Sequence, residues 1–170
     1  MRTNSRLIAP FVLACGITAA SSAKAQKSSK DVGGQTACAL LSQAEIRKAT
    51  GRNDVANRTT HMDEDTQFSS NCQHWGAIDI TVHIGTQTKV MFERERDTYA
   101  KAPARLGYKI QPISGLGDNA YFMSYSGKAE VRTIVGEKEL AVSLSGSLPP
   151  DPEAKQMAIN VAKAGLVKLH

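Results

Sequence analysis

Three of the four histidines, His61, His74 and His83, and two of the three cysteines, Cys38 and Cys72, are the side chains here whose types and positions lend themselves to chemistry. In an extended segment His61, Asp63 and Asp65 would share one face, with Glu64 between them, and could offer ligands to a divalent cation. The spacing satisfies neither a zinc nor a calcium ligand pattern, so the run reads as a solvated loop and no metal or other cofactor is expected. Asp79 and His83 fall on the same side of a strand, but four residues span roughly 13 Å, too far for a hydrogen-bonded dyad. No Gly-x-Ser-x-Gly nucleophile turn, phosphate-cradling loop or dinucleotide fingerprint occurs. A small hydrolase or metal-dependent enzyme would therefore have to bring His61, His74 or His83 together with carboxylates from separate segments.

The cysteines are governed by the compartment. Arg2 and Arg6, the apolar stretch at 7–20 and the small-x-small pattern at 23–25 form an export signal expected to be cleaved near Ala25. The alternative is lipid attachment at Cys15, since Val-Leu-Ala-Cys at 12–15 resembles a lipobox; the cleavage pattern ending at Ala25 fits better. A periplasmic or secreted protein with two remaining cysteines predicts a Cys38–Cys72 disulfide. A redox pair is the other reading, and it lacks the Cys-x-x-Cys spacing that tunes thiol pKa values.

Export also resets the charge. The chain has 21 Lys and Arg against 16 Asp and Glu; without Arg2, Arg6 and Lys24 the balance is 18 to 16, or +2. Nothing in that balance points to nucleic acid. The apolar part of the signal falls short of the about 20 residues that a membrane helix needs, and no later stretch is longer.

The elements that position these residues follow from local signals. Residues 26–36 read as a flexible polar leader and 37–170 as one domain. Ser42 and Glu45 form a capping box, Leu41 and Ile46 a hydrophobic staple, and Gly51 a C-terminal stop, predicting a helix over 43–50. Residues 52–71 turn polar and read as a loop or a poorly paired edge strand. Over 72–84, Ile78, Ile80, Val82 and Ile84 alternate with Asp79, Thr81 and His83, predicting a half-buried strand with Gly76 as a bulge. A second helix is expected over 89–102, ended by Pro103, with Phe92 and Tyr99 on one face. Strands at 121–125, 129–135 and 139–145 follow, the last two as a hairpin, and then a C-terminal helix with Asp151 and Glu153 at its positive end. The expectation is α+β: one mainly antiparallel sheet of about four to five strands with helices packed on one face.

That architecture turns a polar strand face outward, and Asp79, Thr81 and His83 on it form a candidate binding surface with Trp75 beside them. Trp75 has a second reading, as a cover over the disulfide, which the usual burial of aromatics favours. The Gly115-Leu116-Gly117-Asp118-Asn119-Ala120-Tyr121 segment adds Asp118 and Tyr121 as ligand-contacting candidates. A structural turn is the stronger reading, with Leu116 as a core plug.

Taken together, Cys38, Leu40, Leu41, Ala44, Glu45, Ile46, Gly51, Cys72, Trp75 and the segment from Gly115 to Tyr121 resemble the pattern of a loose group of small exported bacterial cell-envelope domains, many of them lipoproteins, of unknown function. The resemblance covers most of the mature chain. It implies an α+β domain with a disulfide and no particular activity. The functional expectation is an exported, non-catalytic module that binds a protein or cell-envelope ligand, of inhibitor, immunity or accessory type.

Overall fold

Residues 35–55, 59–61, 69–102 and 104–169 are described in a computed structural model of the chain. The expected signal at 1–25 with Cys15, the leader at 26–34, the Asp63-Glu64-Asp65 run and Pro103 lie outside the described residues.

Side chains that satisfy helix ends fix the first elements. Thr36 Oγ1 accepts from the N–H of Ala39 at 3.2 Å and starts the single turn α1 (Ala37–Leu40). Ser42 Oγ accepts from Glu45 N–H, Glu45 Oε2 accepts from Ser42 N–H at 2.9 Å, and Gly51 ends α2 (Gln43–Thr50) at φ 68°. This is the predicted capping box. Glu45 also meets Lys168 Nζ at 2.5 Å; that contact and the Ser42 hydrogen bonds hold its carboxyl down at about 2. Gln35 Nε2 donates to the carbonyl of Lys168 at 2.7 Å, so the described chain begins against its own C-terminal end.

Among the described residues seven strands form one antiparallel sheet in the order β1-β2-β3-β7-β6-β5-β4: β1 (Thr59–His61), β2 (Ser69–His74), β3 (Ile78–Thr86), β4 (Lys109–Ile113), β5 (Asn119–Tyr125), β6 (Lys128–Val135) and β7 (Lys138–Gly146). The sheet is larger than the four to five strands expected. The polar 52–71 stretch contributes β1 and the start of β2, and Gly76 lies in the turn of the β2–β3 hairpin instead of in a bulge. β2 escapes periodicity because its inward positions are Ser70, Cys72 and His74, of which only the cysteine is apolar. β4 escapes it because it is an exposed edge carrying Pro112, a residue tolerated only where no ladder bond is needed.

One face of the sheet carries Ile78, Ile80, Val82 and Ile84 of β3 with Leu140, Val142 and Leu144 of β7 and Ala129 and Val131 of β6. α1, α2 and α4 (Asp151–Leu166) cover it, α4 through Ala154, Met157, Ala158, Val161 and Ala162. The predicted one-sided packing fails at α3 (Lys89–Ala100). Its Phe92 packs on Tyr121 of the opposite face, ring centroids 5.2 Å apart, in a second core with Met123 and Ile134. β5 therefore has helices above and below it, and all of Ala120 to Ser124 is buried.

The Cys38 and Cys72 sulfurs stand 2.15 Å apart, at disulfide distance, linking α1 to β2 across 34 residues. The glycine-rich segment is a structural turn. Leu116 is buried, its carbonyl accepts from Thr133 Oγ1 at 3.0 Å, and Asp118 Oδ2 accepts from Gly136 N–H at 2.7 Å.

Two outcomes follow. Replacing both Cys38 and Cys72 by serine should lower unfolding free energy by about 3–4 kcal/mol, the closure entropy of a loop of this size, read from urea midpoints against the reduced and oxidised parent. Gly117 has φ 63°, and a Cβ there would stand 2.3 Å from Thr133 Oγ1 and 2.6 Å from the Ile134 carbonyl. Gly117→Ala should cost about 2–5 kcal/mol by the same assay.

Candidate functional site

α3 covers only part of the second sheet face. Beyond it, β2, β3 and β7 present polar side chains in register. His83 pairs with Asn71 and Ala141, Thr81 with Gln73 and Ser143, and Asp79 with Ser145. Directly opposed residues on neighbouring strands bring their Cβ atoms within about 4.5–5.5 Å, so these form a continuous polar patch.

His83 is the fixed point of that patch. Its Nδ1 lies 2.8 Å from Asn71 Oδ1, which assigns the proton to Nδ1 and leaves Nε2 as an acceptor. Nε2 lies over Gly85; any Cβ there would come within 2.9 Å. Burial, reinforced by the charge of Arg132, holds the His83 pKa below the ordinary histidine value, so the ring is neutral at neutral pH.

Beside the patch, under α3, lies a charge network the sequence reading missed. The Arg132 guanidinium of β6, 12 % exposed, bonds Glu139 of β7 (Nε to Oε1 2.6 Å) and Glu95 of α3, and lies 3.6 Å from Glu130. Glu95 also accepts from Gln87 Nε2 at 3.0 Å and Tyr99 OH at 3.2 Å, and Glu130 from Tyr125 OH at 3.4 Å. Three carboxylates thus face one cation. Burial pushes the Glu130 and Glu139 pKa values up, while the Gln87 and Arg132 contacts outweigh desolvation and pull Glu95 down. Burial and the Glu130 charge push the Tyr125 phenol up to about 12.

The predicted residues separate as follows. Asp79, Thr81 and His83 share the patch. Trp75 stands 43 % exposed just after β2; the side chain against the disulfide is His74, with Nε2 3.7 Å from Cys72 Sγ. Tyr121 is buried under Phe92, and Asp118 is spent on the turn. His74 and His83 point to opposite faces and do not converge, and His61 is placed only by its register opposite Cys72. Sequence signals for the network did exist. Glu130 and Arg132 stand at alternate positions among the apolar Ala129, Val131, Ile134 and Val135, and Glu95 sits three residues from Phe92 and four from Tyr99, on the same helical face.

Among the described residues no group of three or more histidines, cysteines and carboxylates is arranged to hold a metal ion, and no helix is long and apolar enough to cross a membrane. No family model, curated protein or solved structure matches the chain.

The network predicts a pH signature. A carboxyl whose folded pKa is raised contributes stability that is present below its unfolded value and lost as pH rises through the folded value. Glu139→Gln removes such a group, so the stability difference between variant and parent should shift in the variant's favour as pH rises from the ordinary glutamate value of 4.5 to neutrality. Urea titrations of both proteins across that range check it; a difference independent of pH contradicts it.

Proposed function

We propose that this protein is an exported, non-catalytic binding module that recognises a protein or envelope ligand through the polar face of β2, β3 and β7. The single observation that carries this reading is the in-register patch of Asn71, Gln73, Asp79, Thr81, His83, Ser143 and Ser145, on the part of the sheet that α3 leaves uncovered. Rigid strands present these groups at fixed spacing, which suits hydrogen-bonded recognition. The groups nearest to chemical competence are already engaged, His83 by Asn71 and the glutamates by Arg132. The export signal, the cysteine pair at disulfide distance and the resemblance to small cell-envelope domains support a role outside the cytoplasm. An inhibitor, immunity or accessory factor fits such a module, its partner being a protein or an envelope component.

The test is affinity capture from periplasm or whole envelope with the parent protein and with Thr81→Arg, which places a long cation at the centre of the patch. A ligand enriched by the parent and lost by about tenfold or more in the variant is expected, since a central unpaired charge removes at least the about 1.4 kcal/mol that a factor of ten represents. Equal enrichment by both, or none by either, overturns the proposal.

A further inference from the structure

The polar patch holds hydrogen-bonding groups that nothing in the fold uses. The side chains of Gln73, Thr81, Ser143 and Ser145 make no hydrogen bond among the described residues, and neither does Nε2 of His83, whose ring is held through Nδ1. All five residues are partly exposed. The buried polar atoms left without a partner, His74 Nδ1, Gln87 Oε1 and Tyr121 OH, all lie elsewhere, so the patch groups open to the surface. The ladder also fixes their layout. Gln73, Thr81 and Ser143 stand side by side across β2, β3 and β7, with His83 on one side of that row and Asp79 opposite Ser145 on the other. Neighbouring strands are about 4.8 Å apart, and the four residues from Asp79 to His83 span roughly 13 Å, more than a single small ligand covers.

Charge narrows what this surface can take. Its one carboxylate, Asp79, accepts from Gly76 N–H at 3.3 Å in the β2–β3 turn. Among the described residues the three strands place no Lys or Arg on this face, and Arg132 on the next strand is held by Glu95 and Glu139. A nucleic acid or an anionic headgroup therefore meets no available cation. Gln73, Thr81 and Ser143 give the centre of the patch no apolar anchor of the kind that dominates protein interfaces. Neutral hydroxyls, each a donor and an acceptor, complement an amide, three hydroxyls and a neutral imidazole. Trp75, 43 % exposed, precedes Gly76 at the Asp79 end and offers the flat apolar ring that the C–H face of a sugar covers. We propose that this face binds a neutral, extended glycan, its hydroxyls bonded to Gln73, Thr81, Ser143 and His83 Nε2 and one sugar ring against Trp75. This names the ligand class of the recognition surface proposed above and rests on that reading.

Trp75 is the chain's single tryptophan, so its emission reports on this surface. The probes are the β-1,4-linked hexamers of glucose and of N-acetylglucosamine, titrated into the purified protein with Trp75 emission and calorimetry as readouts. The expected result is saturable binding of at least one hexamer, weakened about tenfold or more in the double variant Gln73→Ala, Ser143→Ala. Neither side chain has an internal hydrogen bond to lose, so the urea midpoint of the double variant should match the parent's. Binding of the acetylated hexamer alone assigns the face to amide-bearing sugars; equal binding of both assigns it to the shared hydroxyl pattern. No saturable response to either hexamer, or an equal response in the double variant, overturns the proposal. If Thr81→Arg abolishes capture of a protein while neither hexamer binds, the recognition face stands and the glycan falls.

Discussion

One guanidinium decides how the second face of this sheet is organised. Arg132 binds Glu95 of α3 and Glu139 of β7, with Glu130 of its own strand alongside, so it ties the helix to two strands at once. Phe92 on Tyr121 supplies the apolar half of the same attachment. Without Arg132, three carboxylates would be left close together in a partly buried site, a more expensive state than the loss of one contact. The position of α3 in turn sets where the polar patch begins.

The opposite face is held differently. There α4 and α2 pack by aliphatic burial, and the Cys38–Cys72 link anchors the first helical turn to β2. The two faces divide the work of the fold. The disulfide side is dominated by buried aliphatic side chains, while the α3 side carries the Arg132 charge network. That asymmetry is why the proposed recognition surface lies on the second face, where β2, β3 and β7 carry the polar patch around His83.

How much of this was legible in the chain depends on how local each signal is. Ser42, Glu45 and Gly51 define α2 within a few residues, and the Ile78 to Ile84 alternation defines β3 and its polar side, so Asp79, Thr81 and His83 were legible as neighbours on one surface. β2 was not, because its buried positions include Ser70 and His74, and the partner that makes Ser70 tolerable comes from a distant segment: its Oγ accepts from Ala37 N–H at 2.9 Å. The side taken by α3 was hidden for the same reason. The continuous burial of Ala120 to Ser124 marks a strand covered on both faces, and only the fold shows which helix supplies the second cover. The charge network joins residues 95, 130, 132 and 139 through a sheet register that spacing does not encode, although Glu130 and Arg132 at alternate positions of one strand were its visible trace.

The most direct measurement of the central claim is NMR of the Arg132 guanidinium together with carboxyl-carbon titration of the glutamates. A guanidinium clamped by Glu95 and Glu139 should show resolved, slowly exchanging Nε and Nη protons, with Glu130 and Glu139 titrating above the ordinary value of 4.5 and Glu95 below it. Averaged Arg132 signals, with all three glutamates titrating together at the ordinary value, would contradict the account.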